Sequence, residues 1–117
     1  MTLPGSRGRF VLTILAYERL TMLMLVTYDV ATTTPEGRRR LRRVARVCLN
    51  YGQRVQLSVF ECSVGDKQLV QLRHDLLEEI NPHEDSLRLY NLGENSIARV
   101  EHHGQRPSID FDDALIV

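Results

Sequence analysis

The order in which the hydrophobic period changes along the chain constrains its fold more than any other feature. From Leu23 the chain, through the run MLVTYDV, is rich in β-branched and aromatic residues, and the strand ends at Asp29, with Val30 leading into the turn-forming ATTTPEG. That is the pattern of a strand running into a loop. Thr33 or Thr34 can cap a following helix, and Pro35 suits its first turn. Leu41, Val44, Ala45 and Cys48 then recur at i, i+3, i+4 and i+7, and this helix is expected to reach about Tyr51 and stop at Gly52. Arg54 to Cys62 (RVQLSVFEC) returns to strand character, with Val55, Leu57 and Val59 on one face by alternation. After a turn at Val64 and Gly65, Asp66 is expected to cap a second helix. Its apolar face is Leu69, Leu72, Leu76 and Ile80, with Leu77 beside it, and Asn81 and Pro82 end it. Ser86 to Leu92 (SLRLYNL) reads as another strand, with Leu87 and Leu89 opposite Arg88 and Tyr90. Ile97 to His102 reads as a helical turn followed by a strand.

Strands and helices in this order, in only 117 residues, leave room for one α+β domain with both helices on one face of a sheet. The other face, with Phe60 and Tyr90 in its strands, would then be uncovered, which favours a dimer formed sheet against sheet. The domain is expected over 23–103, preceded by an extension over 1–22 and followed by a tail over 104–117 that ends in ALIV. Within the extension, Arg7 and Arg9 precede an apolar run from Phe10 to Tyr17 that superficially resembles a secretory signal. The run is short, Glu18 and Arg19 follow it, and a membrane span needs about 20 apolar residues. Secretion and a membrane helix are therefore rejected, a cytoplasmic protein is expected, and Met22 and Met24 are both candidate natural starts.

Fifteen basic residues balance fifteen acidic ones, but the signs are segregated. Arg38, Arg39, Arg40, Arg42, Arg43 and Arg46 crowd the first helix, whereas Asp110, Asp112 and Asp113 lie in the tail. A charged face opposite an apolar stripe is commonly just solvated. A face of one sign at this density also suits phosphate contacts, which set affinity without reading sequence. Cys48 and Cys62 form no CxxC pair and are expected to be buried free thiols. His102 and His103 are adjacent, would point to opposite faces of a strand and could not jointly hold a metal, and His74 has no partner pattern.

Three segments in fixed order, MLVTYDV, RVQLSVFEC and SLRLYNLG, with an arginine-bearing helix between the first two, resemble the CRISPR-associated Cas-two family over about Leu23 to Gly104. The stretch QLSVFEC contributes most to the specificity of the match. The resemblance implies a ferredoxin-like β-α-β-β-α-β sandwich with an additional C-terminal strand, in which RVQLSVFEC bends near Gln56 to Ser58 into two antiparallel strands. It implies a homodimer in which ALIV is an exchanged edge strand. It also implies a metal-dependent endonuclease acting on RNA or DNA, or the central dimer of a spacer-integration complex with the Cas-one integrase. The extension before Met22 and the long ATTTPEG loop depart from the family's pattern.

Under this resemblance Asp29 is the catalytic and metal-binding residue, holding Mg²⁺ or another divalent cation. Considered alone, an Asp in this place is most simply a turn or cap residue. One carboxylate is a poor cage, but Mg²⁺ is often held by one or two carboxylates with substrate oxygens and water, so two Asp29 residues across a twofold axis would suffice. Arg43 and Arg54 match basic residues of the family, while Arg38, Arg39, Arg42 and Arg46 are nucleic-acid candidates on physical grounds alone. Ser58 and Phe60 fall in the most recognisable motif. Ser58 can hydrogen-bond a phosphate or close a turn, and Phe60 can pack at the seam or in the core. A non-catalytic scaffold that binds duplex DNA and docks the integrase through the acidic tail is the alternative to the nuclease. A ligand-binding regulator of the same fold is a third reading.

Overall fold

The computed structural model describes residues 21–94 and 99–105. Its elements are β1 (Met22–Asp29), α1 (Pro35–Leu49), β2 (Gly52–Gln56), β3 (Val59–Val64), α2 (Asp66–Glu79) and β4 (Ser86–Glu94). The strands form one sheet in the order β2-β3-β1-β4, with every neighbouring pair antiparallel. Each helix therefore carries the chain across an intervening strand, which is the ferredoxin-like arrangement expected from the sequence.

Both helices cover one face. Met24, Val26 and Tyr28 of β1 and Phe60, Cys62 and Val64 of β3 meet Leu41, Val44, Ala45 and Cys48 of α1 and Leu72 and Leu76 of α2 in a single core. Alternate strand residues point the other way, so Leu25, Thr27 and Asp29 share the open face with Arg88 and Tyr90. Phe60 belongs wholly to the core, with no exposure, and not to the open face expected for it. Its truncation to Ala would cost about 3–5 kcal/mol through reduced burial and the cavity left behind.

The reason for the difference is local. RVQLSVFEC is two strands and not one: Leu57 and Ser58 form a tight turn, and the β2–β3 register shifts between Arg54 and Gln56. An irregularity of this kind breaks the strict alternation, and Val55, Leu57 and Val59 do not form one strand face. The hairpin implied by the family resemblance is the observed one.

The helix ends explain the other boundary differences. Thr34 caps α1, its side-chain oxygen accepting from the Gly37 amide at 3.1 Å, and Pro35 occupies the first turn. The helix ends at Leu49 rather than Tyr51. The Asn50 and Tyr51 amides donate to the carbonyls three residues back, at 3.1 and 2.9 Å, which tightens the last turn before β2. At α2 the cap position is Gly65, whose amide donates to Gln68 Oε1 at 3.0 Å. Asp66 lies inside the first turn, where its charge complements the helix dipole. Leu69 and Ile80 are partly buried beside Leu72 and Leu76, whereas Leu77 is exposed.

Cys48 and Cys62 are buried free thiols, and the Cys62 thiol donates to the Cys48 carbonyl at 3.7 Å. Val100 to His103 form no strand, and the expected helical turn before them falls largely on residues 95–98, outside the described residues. The ALIV strand and the first 20 residues of the extension also lie outside them. Among the described residues no helix is long and apolar enough to cross a membrane.

Candidate metal and nucleic-acid site

The end of β1 is fixed from below by a buried polar cluster. Tyr28 points into the core and donates its hydroxyl to Asp85. The same carboxylate accepts from Arg40 Nε at 2.9 Å, from Arg40 Nη2 at 3.1 Å and from the Asn81 amide at 2.9 Å. The Asp85 side chain has no solvent exposure, and that of Arg40 is only 12% exposed. A buried carboxylate is tolerable only because both oxygens are satisfied and one partner is a cation. Burial pushes the Asp85 carboxyl up, but the Arg40 guanidinium and the Tyr28 hydroxyl outweigh it and hold the group below the usual carboxylate range. Burial, then the hydrogen bond to Asp85, pushes the Tyr28 phenol up, and the Asp85 hydrogen bond strengthens the protonated form of Arg40.

This cluster organises the opposite face. Asp29 follows Tyr28, Ser86 follows Asp85, and Asp29 and Ser86 are register partners across β1 and β4. The Tyr28 amide also donates to the Ser58 carbonyl at 3.0 Å, which ties the β2–β3 turn to the same end of the sheet. Asp29, exposed, therefore sits with Ser58, Ser86, Thr27, Arg88 and Tyr90 around a shallow depression of about 420 Å³. Of the sequence candidates the structure brings Asp29 and Ser58 together and leaves Phe60 in the core. Among the described residues no group of three or more His, Cys, Asp or Glu side chains could hold a metal ion. One protomer offers this depression a single carboxylate.

The arginines occupy the other side of the molecule. At about 100° per residue, Arg39, Arg42, Arg43 and Arg46 fall within about 100° of one another, opposite the buried Leu41, Val44 and Cys48 stripe. Arg38 borders this group and donates from Nη1 to the Thr32 carbonyl at 3.0 Å. Arg43 pairs through Nε with Glu79 of α2 at 2.9 Å. Arg40 is withdrawn into the Asp85 cluster. Arg54 is separate from all of them: it is opposite Phe60 on the helix-covered face, its guanidinium 5.5 Å from that ring, and its Nε donates to the Leu57 carbonyl at 2.7 Å. Its terminal nitrogens are buried, and burial lowers its pKa. Because α1 covers one sheet face and Asp29 lies on the other, the arginine face and the Asp29 depression are not adjacent within a protomer.

Arg88 and Ser86 are the residues of the depression that sequence reasoning missed. Alternation along SLRLYNL puts Arg88 on the face away from Leu87 and Leu89. Its nearness to Asp29 depends on the β1–β4 register, which no local pattern encodes.

Comparison with known proteins agrees with this geometry. Residues 22–100 match the family model described as CRISPR associated protein Cas2. The chain is 59% identical over 96 residues to the CRISPR-associated endoribonuclease Cas2 of Chlorobaculum tepidum, covering 82% of this chain and all of that protein. It is 55% identical over 95 residues to the CRISPR-associated endonuclease Cas2 of Halalkalibacterium halodurans, covering 81% of this chain and 99% of that one. Among solved structures, Streptococcus pyogenes Cas2 superposes with a TM-score of 0.65 at 55% identity, covering 71% of this chain and 100% of that one. A hypothetical protein from Thermus thermophilus superposes with a TM-score of 0.60 at 32% identity, covering 74% of this chain and 95% of that one. The ferredoxin-like sheet, the three ordered segments and these relatives together establish that the chain belongs to the CRISPR-associated Cas2 family.

Proposed function

We propose that this protein is a metal-dependent endonuclease of CRISPR spacer acquisition that works as a homodimer, with an Asp29 from each protomer holding Mg²⁺ or another divalent cation at the dimer seam. The observation that carries the reading is the placement of Asp29: an exposed carboxylate at a strand end, on the sheet face that no helix covers, beside two serine hydroxyls and an arginine. The donor set fits a hard, oxygen-seeking cation only when two copies contribute, since one protomer supplies one carboxylate and Mg²⁺ accepts substrate oxygens and water for the remainder. When bound, such a cation supplies an activated water and neutralises charge on the phosphate. The chain's own part is to present the Asp29 carboxylate in a fixed place, to offer Ser58 and Ser86 as hydrogen-bond partners and to hold the phosphate backbone.

The open face carries Leu25 opposite Tyr90, and its closure by a second copy at that level, with the Asp29 depression left reachable from the strand ends, is the simplest way to cover it. In this reading residues 23–103 are the folded domain, 1–22 an extension, and the ALIV tail an edge strand on the partner's sheet. The nucleic acid, RNA or duplex DNA, lies against Arg38, Arg39, Arg42, Arg43 and Arg46, while Arg54 and Phe60 support the β2–β3 hairpin from within and Ser58 is presented at its turn. Two buried free thiols suit a reducing cytoplasm.

The separation of the arginine face from Asp29 also favours a second reading. A dimer could hold duplex DNA on its helices and dock the Cas-one integrase through its tail without cutting anything. Cleavage of labelled RNA and duplex DNA, with and without Mg²⁺, by the wild type and Asp29→Ala separates the two, once both are known to be folded dimers that bind equally. Metal-dependent cleavage that disappears in the variant supports the nuclease. Binding without cleavage in either protein, over a range of pH and metals, supports the scaffold.

A further inference from the structure

Arg88 is placed unlike any other arginine of the described residues. It lies on the open sheet face, opposite Thr27 in the β1–β4 register, while Asp29 is opposite Ser86. Arg88 is thus the diagonal neighbour of Asp29, a relation that separates Cβ atoms by about 7 Å. Both line the same depression. No carboxylate of the described residues forms an ion pair with Arg88. Its hydrogen-bond partner is the Tyr90 hydroxyl, to which Nη1 donates at 3.0 Å.

The contrast with two of the α1 arginines is chemical, and from Arg39 and Arg42, which also lack an acid partner among the described residues, Arg88 differs by lying beside Asp29. Arg40 is neutralised by Asp85 and Glu84, and Arg43 by Glu79. An arginine with no acid partner, held at the edge of a depression by a tyrosine hydroxyl, keeps its fork of donors for an incoming anion. An exposed carboxylate at diagonal distance repels a phosphate by itself. A guanidinium on the far rim removes that repulsion while leaving the carboxylate free for its own role. Across that diagonal an arginine can reach a carboxylate, but here the guanidinium is turned to the Tyr90 hydroxyl and forms no ion pair with Asp29.

We infer that Arg88 is the phosphate-holding residue of the Asp29 depression, receiving a phosphodiester of single-stranded RNA or duplex DNA between its guanidinium and the Asp29 carboxylate, with Tyr90 orienting the guanidinium. This rests on the proposed role of Asp29, which it extends by naming the group that holds the substrate's charge. The arginines of α1 then serve the flanking backbone on the outer face, and Arg88 the phosphate at the reacting position.

The test is the salt dependence of binding, which does not require activity. Labelled single-stranded RNA and duplex DNA are titrated in EDTA, over a series of salt concentrations, with the wild type, Arg88→Gln, Arg88→Lys, Asp29→Asn and, as a control on the exposed face of α2, Arg73→Gln. Sedimentation checks the assembly of each. Steady-state cleavage in Mg²⁺ follows for the same set. Arg88→Gln is expected to bind roughly tenfold more weakly at low salt. It should flatten the slope of log K against log salt by about 0.7–0.9 for each phosphate that the side chain no longer neutralises, and raise KM. Arg88→Lys should keep the slope, and Arg73→Gln should match the wild type. An unchanged slope and affinity in Arg88→Gln overturns the proposal, as does a sedimentation coefficient reduced to that of the monomer, which would make Arg88 a structural contact of the seam and not a phosphate contact. A flattened slope with no cleavage in any protein keeps Arg88 as a phosphate contact and removes the nuclease. Cleavage abolished by Asp29→Asn but untouched by Arg88→Gln does the reverse.

Discussion

Tyr28 donates its hydroxyl to Asp85 across 57 residues of sequence, joining the end of β1 to the residue that enters β4 directly beneath the Asp29–Ser86 pair. The carboxylate is shared with Arg40 and the Asn81 amide. The three interactions are unequal, because only Arg40 brings a charge. Asp85→Asn leaves a largely buried guanidinium with the exposed Glu84 as its remaining acid, and should cost about 3 kcal/mol. Tyr28→Phe removes one hydroxyl and leaves Asp85 its other donors, so about 1 kcal/mol is expected. Urea denaturation of the two variants decides it. Equal losses would show that the hydroxyl, and not the ion pair, holds the strand end.

The same cluster sets the direction of acid sensitivity. Asp85 is held below its ordinary range in the folded state, so its stabilising contribution is present above the unfolded value of about 3.9 and is lost as pH falls below it. Tyr28 is shifted upward, so its contribution is present below about 10 and is lost as pH rises beyond that. Stability measured from pH 7 downward should therefore drop in the wild type below about pH 4 and drop less in Asp85→Asn. Parallel curves for the two proteins would mean that other carboxylates carry the acid transition.

Much of this arrangement is legible in the sequence. Leu41, Val44, Ala45 and Cys48 recur at a helical period because they form the buried stripe of α1, and the Thr34 cap and Pro35 mark its start for local reasons. Tyr28 and Asp29 separate onto opposite faces by alternation alone. The hairpin within RVQLSVFEC is not legible by alternation, because a turn of Leu57 and Ser58 lacks the glycine or asparagine that announces tight turns. Arg40 reads as one more member of a basic cluster, and only the fold reveals Asp85, 45 residues away, as its partner. The association of Asp29 with Ser58, Ser86 and Arg88 likewise depends on strand register, a non-local property. The family resemblance supplies the hairpin and singles out Asp29, but it does not supply Arg88.

Gly37 gives a test of how the loop after Asp29 is held. A Cβ on this residue would lie 1.7 Å from the Ala31 carbonyl oxygen, so the ATTTPEG loop approaches the first turn of α1 as closely as only glycine permits. Helix propensity alone favours Ala over Gly by about 1 kcal/mol. Backbone crowding predicts the opposite sign, a loss of about 2 kcal/mol for Gly37→Ala. Thr34→Ala, which removes only the cap, should cost about 1 kcal/mol and leave the loop's approach intact. Thermal unfolding of both variants, with hydrogen exchange at Ala31 to Thr33, is the check. A stabilised Gly37→Ala would mean that the loop moves aside at no cost.

The arginine face yields the last prediction, which turns on which of its members are already engaged. Arg43 is half-exposed and paired with Glu79, and Arg38 is bound to the Thr32 carbonyl, whereas Arg39 and Arg42 project from the same face of α1 without an acid partner among the described residues. A solvated face and a phosphate-binding face differ in their response to salt. Neutralising a phosphate releases condensed counterions, so each such pairing steepens the decline of affinity with salt by about 0.9 on duplex DNA. Reversing Arg39 and Arg42 to Glu should therefore weaken duplex binding and flatten the salt slope by roughly 2 if both touch phosphate. Stability should change by less than about 0.5 kcal/mol, since both changes are at the surface. Arg43→Ala should cost at most about 1 kcal/mol of stability from the exposed pair with Glu79 and flatten the slope less than the double reversal does. Fluorescence anisotropy with a labelled duplex over a salt series gives each slope. If the Arg39 and Arg42 reversal leaves it unchanged, these two side chains are merely solvated, and the Asp29 and Arg88 side of the sheet becomes the better candidate for whatever nucleic acid the protein binds.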